Sequence, residues 1–179
     1  LLIHCLQHIS IQKRENLKIT SVQFKNKSGD KDYDIFIIQE MSAKATAQGS
    51  EGIAFHECSL AESSFARNLS LKRLLEVAES VPSSPSTQRL NNIAQPNNIP
   101  KIASIFKRDN QDKIYSTYIC VDSTGLLTKY RKVHTFISNY LSAGNKYLIF
   151  DYQEWKTGIL ICCDNNVIEK VRFTTLLST

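Results

Sequence analysis

No apolar run in this 179-residue sequence approaches the roughly eighteen residues that a membrane-spanning helix needs, so no membrane partner is expected. Residues 1–9 include His4, Cys5, Gln7 and His8. They show neither a basic leader before an apolar block nor a small-residue cleavage site after it, which argues against a secretory signal. The cysteines are five, at 5, 58, 120, 162 and 163, with no paired spacing. An odd, unpaired set points to free thiols in a reducing compartment, hence a cytoplasmic location, and against a disulfide framework. The glycosylation sequons at Asn26 and Asn68 then read as chance matches. Dense basic runs are also missing: the net charge is +5, but Lys and Arg are interleaved with Asp and Glu. No nucleic-acid partner is expected from such a pattern. There is no internal repeat and no low-complexity tract.

What is present suits a soluble α/β domain. An apolar content of 42% against 22% charged residues is ordinary for a globular chain, and the length allows one domain with a real core. Residues 18–24 read as a strand. Asp34 is placed to cap a helix carrying Ile35, Ile38, Met41 and Ala45, and residues 53–57 form a second strand with an acid at its end. This order predicts a parallel pair with a right-handed crossover. Ser70 caps a helix with Leu71, Leu74, Leu75 and Ala78. Ser86 or Thr87 opens another with Leu90, Ile93 and Ala94. Strands are expected at 102–106, 114–121 and 126–130, the last two joined by a turn at 122–125. The polar stretch 132–145 reads as a loop approaching a site, followed by strands at 147–150 and 157–163.

The chemistry concentrates at the end of that last run. Gly158 to Ile161 lead into Cys162, Cys163 and Asp164, and a helical pattern with Ile168, Val171 and Thr175 follows. A thiol at a strand-to-helix junction lies near the positive end of a helix dipole, which favours thiolate. Cys162 is therefore a candidate nucleophile, although free cysteine commonly serves only as a small buried hydrophobe. Cys163 competes with it. Successive residues on a strand face opposite ways, so one thiol alone is expected to reach a given site. The same divergence argues against a metal at His56, Glu57 and Cys58, with no second cluster to complete a ligand set. His4, Cys5 and His8 have helical ligand spacing but lie at a terminus prone to fraying. Neither a metal nor a cofactor is expected.

Phe55-His56-Glu57-Cys58, Lys129-Tyr130-Arg131-Lys132-Val133-His134, Ser142-Ala143-Gly144 and Ile161-Cys162-Cys163-Asp164 occur in this order. As an ordered set they resemble the nitrilase superfamily of carbon–nitrogen hydrolases, across nearly all of residues 19–177. The resemblance implies a four-layer α-β-β-α sandwich, with residues 1–16 as an N-terminal extension and 17–179 as the domain. The family domain continues beyond the helix after the nucleophile, so the sandwich is expected to be incomplete at the C-terminus. It further implies Glu57 as general base, Lys132 as cationic stabiliser and Cys162 as nucleophile. The backbone N–H of Cys163 would support the oxyanion, and His134 and Asn139 would support the pocket. Asn139 stands where relatives usually carry a second glutamate, Ser116 replaces an asparagine, and His56 a proline. The expected activity is hydrolysis of a non-peptide carbon–nitrogen bond in a small molecule, an amide rather than a nitrile. The alternatives are an inactive remnant or interaction module, and acyl transfer. The full-length protein is expected to form a homodimer or higher oligomer.

Overall fold

The computed structural model describes residues 16–177. Its central element is a five-stranded sheet in the order β1 (Ile19–Val22), β2 (Gly52–Phe55), β3 (Lys101–Arg108), β4 (Ile114–Asp122) and β5 (Gly125–Arg131). β1, β2 and β3 run parallel, and β3, β4 and β5 antiparallel. Between β1 and β2 the chain crosses over through α1 (Lys31–Ala47), so the strand–helix–strand unit predicted from the apolar spacing is present. The short helices α2 (Ser63–Arg67) and α3 (Leu71–Val77) and the longer α4 (Pro85–Ala94) precede β3. After β5 a long loop leads to a separate hairpin, β6 (Ile149–Tyr152) and β7 (Trp155–Gly158). A 3₁₀ helix (Cys162–Asn166) and α5 (Ile168–Leu177) end the described chain.

Side-chain alternation decides what each face of the sheet covers. Ala103 and Ile105 of β3 and Ile119 and Val121 of β4 pack with Ile35 and Ile38 of α1 and Leu90 and Ile93 of α4. The opposite face, with Ile102, Tyr118, Cys120 and Tyr130, packs against Leu148, Phe150 and the segment Ile159 to Ile161. A third cluster, including Leu74 of α3, Phe106 and Ile137, closes the end of the sheet. The arrangement is thus α/β, one helical layer on a mixed sheet with the hairpin behind it. Among the described residues no helix is long and apolar enough to cross a membrane.

Three expectations are corrected. Helix α1 starts earlier than Asp34: Asp30 caps it by accepting from the Tyr33 N–H at 3.0 Å, while buried Asp34 accepts from the Asn26 side chain at 2.9 Å. Helix α4 is opened by Ser84, not by Ser86 or Thr87, because Pro85 takes the first helical position, where its missing N–H costs nothing. The run 157–163 is not one strand: β7 stops at Gly158. Ile159 and Ile161 are buried all the same, because an apolar run reports burial, not ladder pairing. His4, Cys5 and His8 lie outside the described residues, as does all but the last residue of the extension expected at 1–16.

Candidate active site

Glu57 sits in the turn that follows β2, and that turn is pinned to the sheet. The Ser104 N–H donates to Ser59 Oγ at 2.9 Å, and the Leu60 N–H to the Ser104 carbonyl at 3.2 Å. The strand expected at 53–57 ends at Phe55, which lets three consecutive residues go different ways. His56 turns to Asn26 (Nε2 to Oδ1, 2.8 Å), and burial pushes its pKa down. Cys58 is buried in the third apolar cluster, and burial pushes its thiol pKa up. Glu57 faces the next strands. Among the described residues no group of three His, Cys, Asp or Glu side chains could hold a metal ion.

Lys132 comes from the other side of the sheet, directly after β5. Its N–H donates to the Ser116 carbonyl of β4 and its own carbonyl accepts from the Gly144 N–H, both at 2.8 Å. The ammonium is wholly buried and donates to both Glu57 oxygens at 2.8 Å, with the carboxylate side chain 12% exposed. Ser116 Oγ donates to Glu57 Oε1 at 3.1 Å, so the serine noted as a departure from the family pattern braces the acid. The Phe136 ring lies over the ammonium at 4.7 Å. Glycine is required at 144, where a Cβ would come within 2.3 Å of the Arg131 carbonyl oxygen.

Cys162 opens the 3₁₀ helix with φ +47° and is exposed. Desolvation raises its thiol pKa, Lys132 opposes this, and Glu57 and Cys163 raise it further. Glu57, Lys132 and Cys162 thus share one electrostatic environment, which also reaches Cys58 and Tyr118. The expected lowering of this pKa by a helix dipole is not found, since a five-residue 3₁₀ turn carries little dipole. The two adjacent thiols lie in a tight helical turn and not on the expected strand, with Cys162 exposed and Cys163 half-buried.

Asp164 is the anchor of this corner. Fully buried, it accepts from Tyr130 Oη at 2.8 Å, the Val133 N–H at 3.3 Å, the His134 N–H at 2.9 Å and Lys170 Nζ at 3.1 Å. Burial pushes its pKa up, but the donors, led by the His134 N–H, outweigh it and hold the carboxyl below its usual value. His134 Nδ1 lies 3.3 Å from the same carboxylate while its ring remains half exposed. One carboxylate therefore ties the Lys132 loop to the Cys162 turn. Asn139 is placed differently: exposed, it lines a hollow of about 470 Å³ with Arg67, Leu69, Phe136 and Tyr140. The polar side chain holding Lys132 is Glu57.

The family model described as carbon-nitrogen hydrolase matches residues 18–177. An omega-amidase from Homo sapiens is 30% identical over 138 residues, 70% of this chain and 48% of the relative. A nitrilase from Pyrococcus abyssi is 23% identical over 151 residues, 83% of this chain and 56% of the relative. The chain spans about half the length of these relatives. Among solved structures, an amidase from Nesterenkonia sp. superposes with a TM-score of 0.74 at 18% identity, covering 91% of this chain and 62% of that one.

Proposed function

The chain belongs to the carbon–nitrogen hydrolase family, and from that premise we propose that it derives from a thiol amidohydrolase in which Glu57, Lys132 and Cys162 perform the chemistry. The observation that carries this reading is the buried Lys132 ammonium, held at 2.8 Å by both Glu57 oxygens, with its field on the Cys162 thiol. Well-packed apolar side chains of similar volume often hold a fold at least as well as a buried ion pair. Placed here, the Lys132 ammonium meets charge that develops during reaction.

The carboxylate of Glu57 takes the thiol proton as sulfur attacks the carbonyl carbon of an amide. Negative charge builds on the carbonyl oxygen. Lys132 stabilises it, together with the N–H of Cys163, which lies in the first turn of the 3₁₀ helix, where N–H groups have no intrahelical acceptor. Glu57 returns its proton to the departing ammonia or amine, leaving a thioester on Cys162. Water, deprotonated by Glu57, attacks the thioester, and the acid leaves with regeneration of the thiol. An amide is preferred to a nitrile, a choice in keeping with the omega-amidase among its relatives. His134 and Asp164 position the Lys132 loop.

The test is ammonia release from a panel of small amides and nitriles, with Cys162→Ala as control. Release that the alanine variant loses by at least a thousandfold supports the reading. Equal inactivity of two folded proteins would sink it in favour of a non-catalytic remnant. Amine added to the assay would divert product to a new amide if the thioester is built for acyl transfer.

A further inference from the structure

We infer that the hollow between the free edge of β5 and residues 145–148 binds a small phosphorylated anion. Its volume is about 310 Å³, at the lower end of the range of small-molecule sites. Lys129, Arg131 and Lys146 line it together with Asn145 and Tyr147, and no Asp or Glu does. The chain carries 22 Lys and Arg against 17 Asp and Glu. Three cations and no acid around one concavity are therefore a local departure from a nearly balanced charge.

The donors of this hollow are uncommitted. Among the described residues the side chains of Lys129, Arg131, Asn145 and Lys146 make no hydrogen bond and no ion pair. Arg131 is held in place all the same. Its guanidinium lies over the Tyr115 ring, 3.9 Å from the centroid, and that ring is buried, with its hydroxyl donating to Asp109 at 3.1 Å. Stacking fixes the guanidinium plane and leaves its N–H edge for a ligand. The Lys107 amine, almost wholly buried, lies 5.9 Å from the centroid of the same ring. Burial lowers its pKa, and Arg131 and Lys129 lower it further against the opposing pull of Asp109. Cations crowded in this way gain when an anion enters.

The donor set suits a phosphoryl group. A fixed guanidinium gives two parallel N–H···O bonds, and lysine ammonium groups act as point charges on the remaining oxygens. A carboxylate has two oxygens, which Arg131 alone would satisfy. Two further cations match the higher charge and the third terminal oxygen of a phosphate. Tyr147, packed against Phe173 at 5.8 Å between ring centroids, offers an aromatic wall to the organic part of the ligand. Occupancy would tie β5 to residues 145–148 beside the corner that carries Lys132, since Tyr130, also in the lining, donates to Asp164. Binding there needs no amidase activity.

Calorimetric titration of pyrophosphate into the full chain, at neutral pH and fixed ionic strength, tests this. The expected result is saturable binding of one equivalent with Kd below about 1 mM, weakened by at least about tenfold in Lys146→Met and in Arg131→Met. Lys72→Met, which removes an exposed cation from α3, should leave binding unchanged. Lys146 is exposed, so its variant keeps the test decisive should Arg131→Met fail to fold. Citrate should bind more weakly than pyrophosphate. The inference is overturned by heat that never saturates, by an equal loss in Lys72→Met, or by citrate binding as tightly as pyrophosphate. It is overturned as well if an oligonucleotide binds and pyrophosphate cannot displace it, which would make this surface a nucleic-acid contact. No readout passes through amide hydrolysis, so failure here leaves the amidase reading standing.

Discussion

Lys101 is a buried amine whose ammonium, among the described residues, donates to the Ile99 carbonyl alone, at 3.1 Å. Burial pushes its pKa down to about 8 from the usual 10.5. Between those values the unfolded chain binds more protons than the folded one, so this residue's contribution makes stability rise with pH across that window. Below about 8 the charged form must be accommodated in the core, at a cost of up to about 3 kcal/mol. Lys101→Met should therefore stabilise the protein at pH 7 and lose most of that advantage by pH 10, as read from urea midpoints of the two proteins. An advantage that stays constant across the range would show that Lys101 is not the titrating group. The Glu57–Lys132 pair obeys the opposite logic, because each charge answers the other. Glu57→Gln or Lys132→Met alone should cost about 3–5 kcal/mol by leaving a partner uncompensated, while the double variant should recover much of the loss. Activity should not return with stability. That separation tells a catalytic pair from a structural one.

At the scale of elements, the reach of sequence reasoning can be traced position by position. The stripe of Ile35, Ile38 and Ala45 is buried as its spacing requires. The β4–β5 hairpin follows from its turn, where Asp122 accepts from the Thr124 N–H at 2.7 Å and Gly125 takes φ +121°. Glu57, Lys132 and Cys162 could be named from ordered motifs, but their convergence depends on contacts 75 residues apart that no local pattern encodes. Asp164 was opaque for a related reason. An aspartate after an apolar run caps a helix in most chains, and only the folded corner reveals Tyr130, Val133, His134 and Lys170 as its donors. Asp164→Asn would turn an amide NH₂ toward groups that are themselves donors. The expected cost is about 2–3 kcal/mol, with kcat falling further than stability explains because the Lys132 loop and the Cys162 turn lose their common anchor. Gly144→Ala should be similarly disruptive. Its Cβ meets backbone that cannot move aside, at a cost of about 1–3 kcal/mol, measurable as a lowered urea midpoint.

Across the whole molecule, the candidate site joins two parts of unequal burial. Glu57 and Lys132 are fixed to β3 and β4, most of whose residues are buried. The sulfur is carried by a segment flanked by the β6–β7 hairpin, in which no residue is fully buried, and by α5, in which Lys170 alone is. Ile168, Phe173, Leu176 and Leu177 of that helix are more than half exposed. Regions with few buried contacts open at lower free energy than the global transition. Amide hydrogen exchange should therefore be slowest in β3 and β4, where exchange awaits global unfolding, and faster by about a hundredfold or more in β6, β7 and α5. The buried ion pair and hydrogen bonds of Asp164 oppose opening of the second part, so Asp164→Asn should accelerate exchange in α5 and, through the lower global stability, in β3 and β4 as well. Acceleration confined to β3 and β4 would mean that α5 opens with the Asp164 contacts intact. In that case Asp164 would support the whole fold and not the seating of the Cys162 turn and α5.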